Sequence, residues 1–181
     1  MSKVNPHQYK QDAELLYSEQ DVSAAISEVA ATLNDDYAKD FPIVLSVMNG
    51  AIFFAGQLTP RLTFPLQLDY VHATRYQDGI EGKEVRWVVK PKATIKGQNV
   101  LILDDILDEG HTLKAIVDEC YLLGAKQVKV AVLVEKELGK QKPVKADYVG
   151  ITAPNRYIFG CGMDIHGWWR NLPAIYALKG A

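Results

Sequence analysis

The sequence predicts an α/β domain, a mostly parallel central sheet flanked by helices, with residues 1–181 forming one unit. Three observations carry this expectation. Residues 100–103 (VLIL) are a continuous apolar run, as a parallel strand covered on both faces requires. Leu113, Ile116, Val117, Cys120 and Tyr121 then recur at helical spacing until Gly124, and residues 128–134 read as the next strand, which completes a βαβ unit. With 181 residues, 48% of them hydrophobic, the chain can bury one sizeable core but is short for two.

The remaining elements follow in order. Ser18 with Asp21 three residues later marks a helix start, and Val22, Ile26, Val29, Ala30 and Leu33 continue as an amphipathic helix. Residues 42–47 (PIVLSV) form a short, β-branched apolar run that stops at Asn49-Gly50, and the apolar stretch 51–58 has helical character. Strand, tight turn and helix are predicted there. Residues 66–71 are a further strand candidate. Residues 75–92 are charged, carry Gly79 and Gly82, and contain Arg86-Trp87-Val88-Val89, which could pair as a hairpin arm. A connection this long is uncommon in a compact domain unless it is functional, so a loop or flap is expected. A lysine-rich connection over residues 136–145 leads to a strand at 148–151 and a glycine-rich segment at 158–162.

Composition excludes several classes. A formal net charge of −2 supplies no broad positive field for a stable nucleic-acid partner. Cys120 and Cys161 lie in apolar or glycine-rich surroundings, where packing and not a disulfide is expected. The first residues lack the apolar core of a signal peptide, and no apolar stretch approaches membrane-spanning length, so a cytoplasmic protein without a membrane partner is expected. His7, His72, His111 and His166 show no metal-ligand spacing, and zinc is not indicated.

In an open α/β sheet, ligands bind beyond the carboxyl ends of strands, which here means the residues after Leu103. Asp104, Asp105 and Asp108 place three carboxylates in five positions, and isolated buried charges cost several kcal/mol or more each unless paired or metal-bound. Gly110 allows close backbone approach, and Thr112 stands at a helix start whose N–H groups and dipole favour phosphate. A phosphorylated sugar fits both halves. A plainer arrangement, with Asp108 and Thr112 capping the helix and Asp104 and Asp105 facing water, is a pattern any βα turn could show.

The run from Val100 through Leu113, four apolar residues, Asp104-Asp105, Ile106-Leu107, Asp108, Glu109, Gly110, His111 and Thr112, resembles the signature by which type I phosphoribosyltransferases bind 5-phosphoribosyl 1-pyrophosphate (PRPP). The similarity extends from the Met48-Asn49-Gly50 turn to Asp164 and Arg170 and follows the bacterial hypoxanthine-guanine enzymes most closely. The resemblance implies purine salvage: transfer of a ribose 5-phosphate from PRPP to hypoxanthine or guanine, with Mg²⁺, in a fold carrying a small purine-covering hood and a mobile flap. It also implies a homodimer or homotetramer.

Residue by residue, the resemblance gives Asp104 and Asp105 the ribose hydroxyls and magnesium, and Asp108 the role of general base near purine N7. Asp108, Glu109, Gly110, His111 and Thr112 would surround the 5′-phosphate, and Met48, Asn49, Gly50 and Arg170 the pyrophosphate. Lys136 would donate to purine O6, Tyr157 would stack on the ring, Ile158 would supply backbone contacts, and Asp164 would serve a second magnesium site and the purine edge. A donor at Lys136 disfavours adenine, whose 6-amino donor would leave both groups unpaired at a cost of about 1–3 kcal/mol. Arg75 and Tyr76 open the flap, which would exclude water. Trp168 and Trp169 are expected to pack the hood. Three positions depart from the family pattern: Glu109 replaces a hydroxyl residue and is expected to turn to solvent, Asn49 replaces a basic residue, and Arg75 replaces a serine.

On local pattern alone, Asn49-Gly50 is also an ordinary turn, Lys136 a solvated lysine, Tyr157 a core aromatic, Asp164 a turn cap and Arg170 a surface ion-pair partner. Two other classes share parts of the pattern. A noncatalytic sensor of PRPP or nucleotide that binds nucleic acid would need a basic face, and a flavodoxin-like module would not need the acid pair, phosphate loop, lysine and distal Asp together.

Overall fold

The direction of the crossovers reverses at the middle of the sheet, and an open α/β sheet places its binding crevice at such a point. The computed structural model describes residues 5–75 and 85–179. Its main sheet has six strands: β2 (Ile43–Met48), β3 (Gln67–Arg75), β4 (Val85–Val89), β5 (Asn99–Leu107), β6 (Gln127–Glu137) and β7 (Tyr148–Pro154), in the order β4-β3-β2-β5-β6-β7. All neighbours are parallel except β3 and β4, which pair antiparallel. The chain leaves β2 through helix α3 (Ile52–Leu58) toward β3, and leaves β5 through α4 (His111–Leu122) toward β6. The two crossovers depart in opposite directions from adjacent strands, so a crevice opens between the carboxyl ends of β2 and β5.

Both faces of β5 are covered, which explains its unbroken apolar start: Val100, Leu101, Ile102 and Leu103 have no exposed surface. On one face, Leu101 and Leu103 join Val44, Phe54 and Leu58 and the inner stripe of α2 (Glu19–Asp36). On the other, Val100 and Ile102 join Leu45, Leu113, Ile116 and Cys120 beneath α4. Helix α2 begins in the capping box expected from Ser18 and Asp21, with each side chain engaging the other's backbone N–H. Cys120 and Cys161 are both buried and free of any disulfide. No helix of the described residues is long and apolar enough to cross a membrane.

A second, antiparallel sheet forms a hood over the crevice. It joins β1 (Ala13–Tyr17), β9 (Ile175–Leu178) and β8 (Ile158–Phe159), in the order β1-β9-β8, with α1 (Pro6–Gln11) preceding it. Neither α1 nor the terminal strands were expected from the sequence. β1 has no alternating pattern, and its partner β9 lies at the opposite end of the chain, so the pairing leaves no local mark. Within the hood, Trp169 packs as expected and donates from Nε1 to the Pro6 carbonyl at 2.6 Å. Trp168 does not: its side chain is exposed.

Candidate active site

At the crevice, the last half of β5 carries two carboxylates that the packed sheet has drawn out of water. Asp104 and Asp105 are 8% and 7% exposed, and the Asp105 N–H donates to Asp104 Oδ1 at 3.0 Å. Burial, followed by the neighbouring Asp105 charge, holds the Asp104 carboxyl well above the usual carboxylate range. Burial also raises Asp105, opposed by its hydrogen bond with Asp104 and by the positive charge of Arg170. The pair therefore does not face water, contrary to the plainer arrangement. Beside it, the β2–α3 turn holds a cis peptide between Met48 and Asn49. Any Cβ on Gly50 would run into the Asp105 carboxylate, so only glycine lets this turn lie against the acid pair.

The start of α4 also rejects the capping alternative. Gly110 occupies the N-cap, and no side chain caps the helix. Its first-turn N–H groups are the kind that bind anions. Asp108 turns elsewhere, to Lys136 Nζ at 3.3 Å. Glu109 pairs with Lys140 at 3.1 Å with its side chain 39% exposed. His111 is exposed, outside the lining of either cavity described below.

From the hood, Arg170 reaches down over the crevice. Its Nη1 donates to the Gly162 carbonyl at 2.6 Å, and its Nη2 lies 2.5 Å from Asp164 Oδ1. The other Asp164 oxygen accepts from the Gly167 N–H at 2.7 Å.

Two joined cavities result. One, of ≈ 370 Å³, is lined by Met48, Asn49 and Gly50, by Asp104, Asp105, Asp108, Glu109, Gly110 and Thr112, and by Asp164 and Arg170. Its described lining carries five carboxylates and a single guanidinium. A polyanion would be repelled there unless cations accompany it. The other, of ≈ 220 Å³, is lined by Lys136, Tyr157, Ile158 and Met163 together with Asp105, Ile106, Asp108 and Asp164, which both cavities share. A narrow slot with a half-exposed tyrosine ring, an ammonium and carboxylates suits a flat polar ring.

Thus residues spread from Met48 to Arg170 in sequence surround one crevice. Arg75 is the last residue of β3, and Tyr76 lies outside the described residues. The sequence reading did not assign to the site His72 and Ala73, which line the larger cavity, or Met163 in the smaller one. The first two had a signal: β3 runs parallel to β2, so its carboxyl end reaches the same edge. Met163 had none, since its place depends on hood folding.

Fold and site together define a mostly parallel sheet protein in whose central crevice an acidic cavity beside an uncapped helix start adjoins a narrow slot lined by an aromatic ring and an ammonium. Comparison with known proteins gives that class its name. The chain belongs to the phosphoribosyltransferase family, matching the phosphoribosyl transferase domain over residues 12–166. It is 32% identical to the hypoxanthine-guanine phosphoribosyltransferase of Bacillus subtilis over 95% of this chain and 97% of that protein. It is 34% identical to the hypoxanthine-guanine-xanthine phosphoribosyltransferase of Tritrichomonas foetus over 91% of each. The bifunctional TilS/HprT protein of Listeria innocua is 35% identical over 91% of this chain, which spans 26% of that longer protein. The fold superimposes on a hypoxanthine phosphoribosyltransferase structure from Staphylococcus aureus with a TM-score of 0.88, at 28% identity, covering 98% and 97% of the two chains.

Proposed function

We propose that this protein transfers the 5-phosphoribosyl group of PRPP to hypoxanthine or guanine, forming the mononucleotide and pyrophosphate. The observation that carries this reading is the sharing of Asp105, Ile106, Asp108 and Asp164 by the two cavities, since a transfer between a sugar phosphate and a purine needs both sites to meet at the reacting atoms.

In this reading the 5′-phosphate lies against the uncapped first turn of α4 and the Thr112 hydroxyl. The ribose hydroxyls face Asp104 and Asp105. The acid pair fits Mg²⁺: two adjacent, buried, hard oxygen groups whose carboxyls are held above their usual range are what a divalent cation would stabilise, and Mg²⁺ commonly takes only one or two carboxylates besides substrate oxygens and water. Bound there, the cation supplies charge neutralisation to the pyrophosphate. Asp164 is a further candidate ligand, and its present partner Arg170 would be released toward the pyrophosphate oxygens.

The purine enters between Lys136 and Asp108, against Tyr157. Lys136 donates to O6. As purine N9 bonds to C1 of the ribose, the C1–oxygen bond to pyrophosphate breaks, and the N7 proton passes to the Asp108 carboxylate. Incubating the protein with PRPP, Mg²⁺ and each of hypoxanthine, guanine, xanthine and adenine tests this: mononucleotide should form from 6-oxopurines and far less from adenine. No nucleotide from any base would sink the proposal. Asp108→Ala should lower kcat by roughly 10²–10⁴-fold while leaving the KM for PRPP nearly unchanged.

A further inference from the structure

We infer that Lys142 is a positioning residue for the purine half of the site, setting the spacing between Asp108 and Lys136. This rests on the function proposed above and adds a group that touches no substrate. Lys142 lies on the connection between β6 and β7, yet its side chain is only 9% exposed, whereas the nearby Lys140 side chain is 61% exposed. Its Nζ donates to the Leu107 carbonyl at 3.0 Å, to the Lys136 carbonyl at 2.6 Å and to Glu135 Oε1 at 3.1 Å. Three acceptors match the three N–H bonds of an ammonium.

The choice of acceptors is informative. Leu107 and Glu135 are the last register partners of β5 and β6, where the parallel ladder between these two strands runs out. Leu107 immediately precedes Asp108, and Lys136 is the residue whose ammonium meets Asp108 across the slot. One buried cation thus ties down the main chain beneath both groups that face the purine edge. Purine N7 and O6 lie on that same edge, so the acceptor for one and the donor for the other must keep a fixed separation as the ring displaces their direct ion pair. Losing the tie lets the two strand ends move apart by fractions of an ångström, enough to weaken a paired contact. Burying an ammonium is costly unless it is fully bonded, and a solvated lysine would serve a plain surface loop equally well.

The test is steady-state kinetics of wild type, Lys142→Met, Lys142→Arg and Glu135→Gln, varying hypoxanthine at saturating PRPP and the reverse, with thermal melts to confirm folding. Lys142→Met should raise the KM for hypoxanthine roughly tenfold or more, with the KM for PRPP within about twofold. Lys142→Arg should recover part of that loss, and Glu135→Gln should show a smaller, equally selective rise. An unchanged hypoxanthine KM in Lys142→Met, or equal rises for both substrates, overturns the assignment. If Lys142→Met does not fold, Glu135→Gln decides: a selective rise supports the role and no change removes it. Wild type that makes no nucleotide defeats the proposed function and this inference together; active wild type with unaltered variants defeats this inference alone.

Discussion

Asp104 shows a residue kept at the expense of the fold. Its carboxyl is held well above the range it has in the unfolded chain, chiefly by burial and then by Asp105. The folded protein therefore keeps a proton that the unfolded chain gives up near pH ~3.9. From there upward, until the folded carboxyl itself ionises, stability falls as pH rises; at higher pH the full penalty is present. Asp104→Asn removes the titration while its side-chain oxygen can still accept from the Asp105 N–H. It should raise Tm at pH 8 by roughly 2–6 °C, with the gain shrinking toward pH 4, and should lower kcat/KM by about 10²-fold or more. Calorimetry of both proteins across that pH range checks it, and an unchanged or lower Tm at pH 8 would refute it. At this scale the sequence was legible where chemistry is local. The acid cluster, Gly110 and Thr112 stand within nine residues of one another, and burial of the pair follows from the apolar strand before it. The Asp108–Lys136 pairing spans 28 positions and depends on strand register, which no local pattern reveals. Lys142 was visible only as one lysine of a lysine-rich stretch.

Elements of the main sheet were legible because each carries its own period and punctuation: the capping box before α2, the Asn49-Gly50 stop after β2, Gly124 after α4. What joins them was not. The carboxyl end of α2 is fastened to the sheet by Asp36, which accepts from the Tyr148 hydroxyl at 2.6 Å and from Lys129 Nζ at 3.2 Å. An acid in the last turn of a helix opposes the helix dipole, and these two partners compensate. The Tyr148 hydrogen bond, followed by that of Lys129, holds the Asp36 carboxyl below its usual range. A depressed carboxyl adds stability above its unfolded value, and that stability is lost as pH falls through the lower, folded value. Tyr148→Phe should cost about 1 kcal/mol at pH 7, since Asp36 is 44% exposed and water screens part of the interaction. The difference from wild type should narrow below pH ~4, and turnover should stay unchanged because the staple lies away from the crevice. Urea unfolding at pH 7 and about pH 3.5 reads both; an equal loss at the two pH values would show that packing, not the charged hydrogen bond, carries it.

Across the whole molecule, we expect activity to depend on the height at which the hood rests above the sheet. The contact that sets this height is almost all backbone. Arg170 and Asp164 belong to the hood segment, Asp105 and Gly50 to the sheet, and between them stands Gly162, with φ 102° and its α-carbon so near the Gly50 carbonyl that a methyl group there would run into that oxygen. The Gly162 carbonyl is also the acceptor for Arg170. Gly162→Ala should therefore leave the two cores folded but lift the hood, spoiling the alignment of Arg170 and Asp164 with the acid pair. The expected result is a fall in kcat/KM of roughly 10²-fold for PRPP and purine alike, with circular dichroism unchanged. Left-handed strain alone could lower stability by about 1–2 kcal/mol, so Gly97→Ala serves as the control. Gly97 has φ 75°, a methyl group added there would meet no atom within 4 Å, and the residue lies away from the crevice. That variant should lose similar stability and keep its turnover. If both variants lose stability but neither loses activity, the hood's height does not govern the chemistry, and the alignment of Arg170 over Asp105 must survive movement of the backbone that carries it.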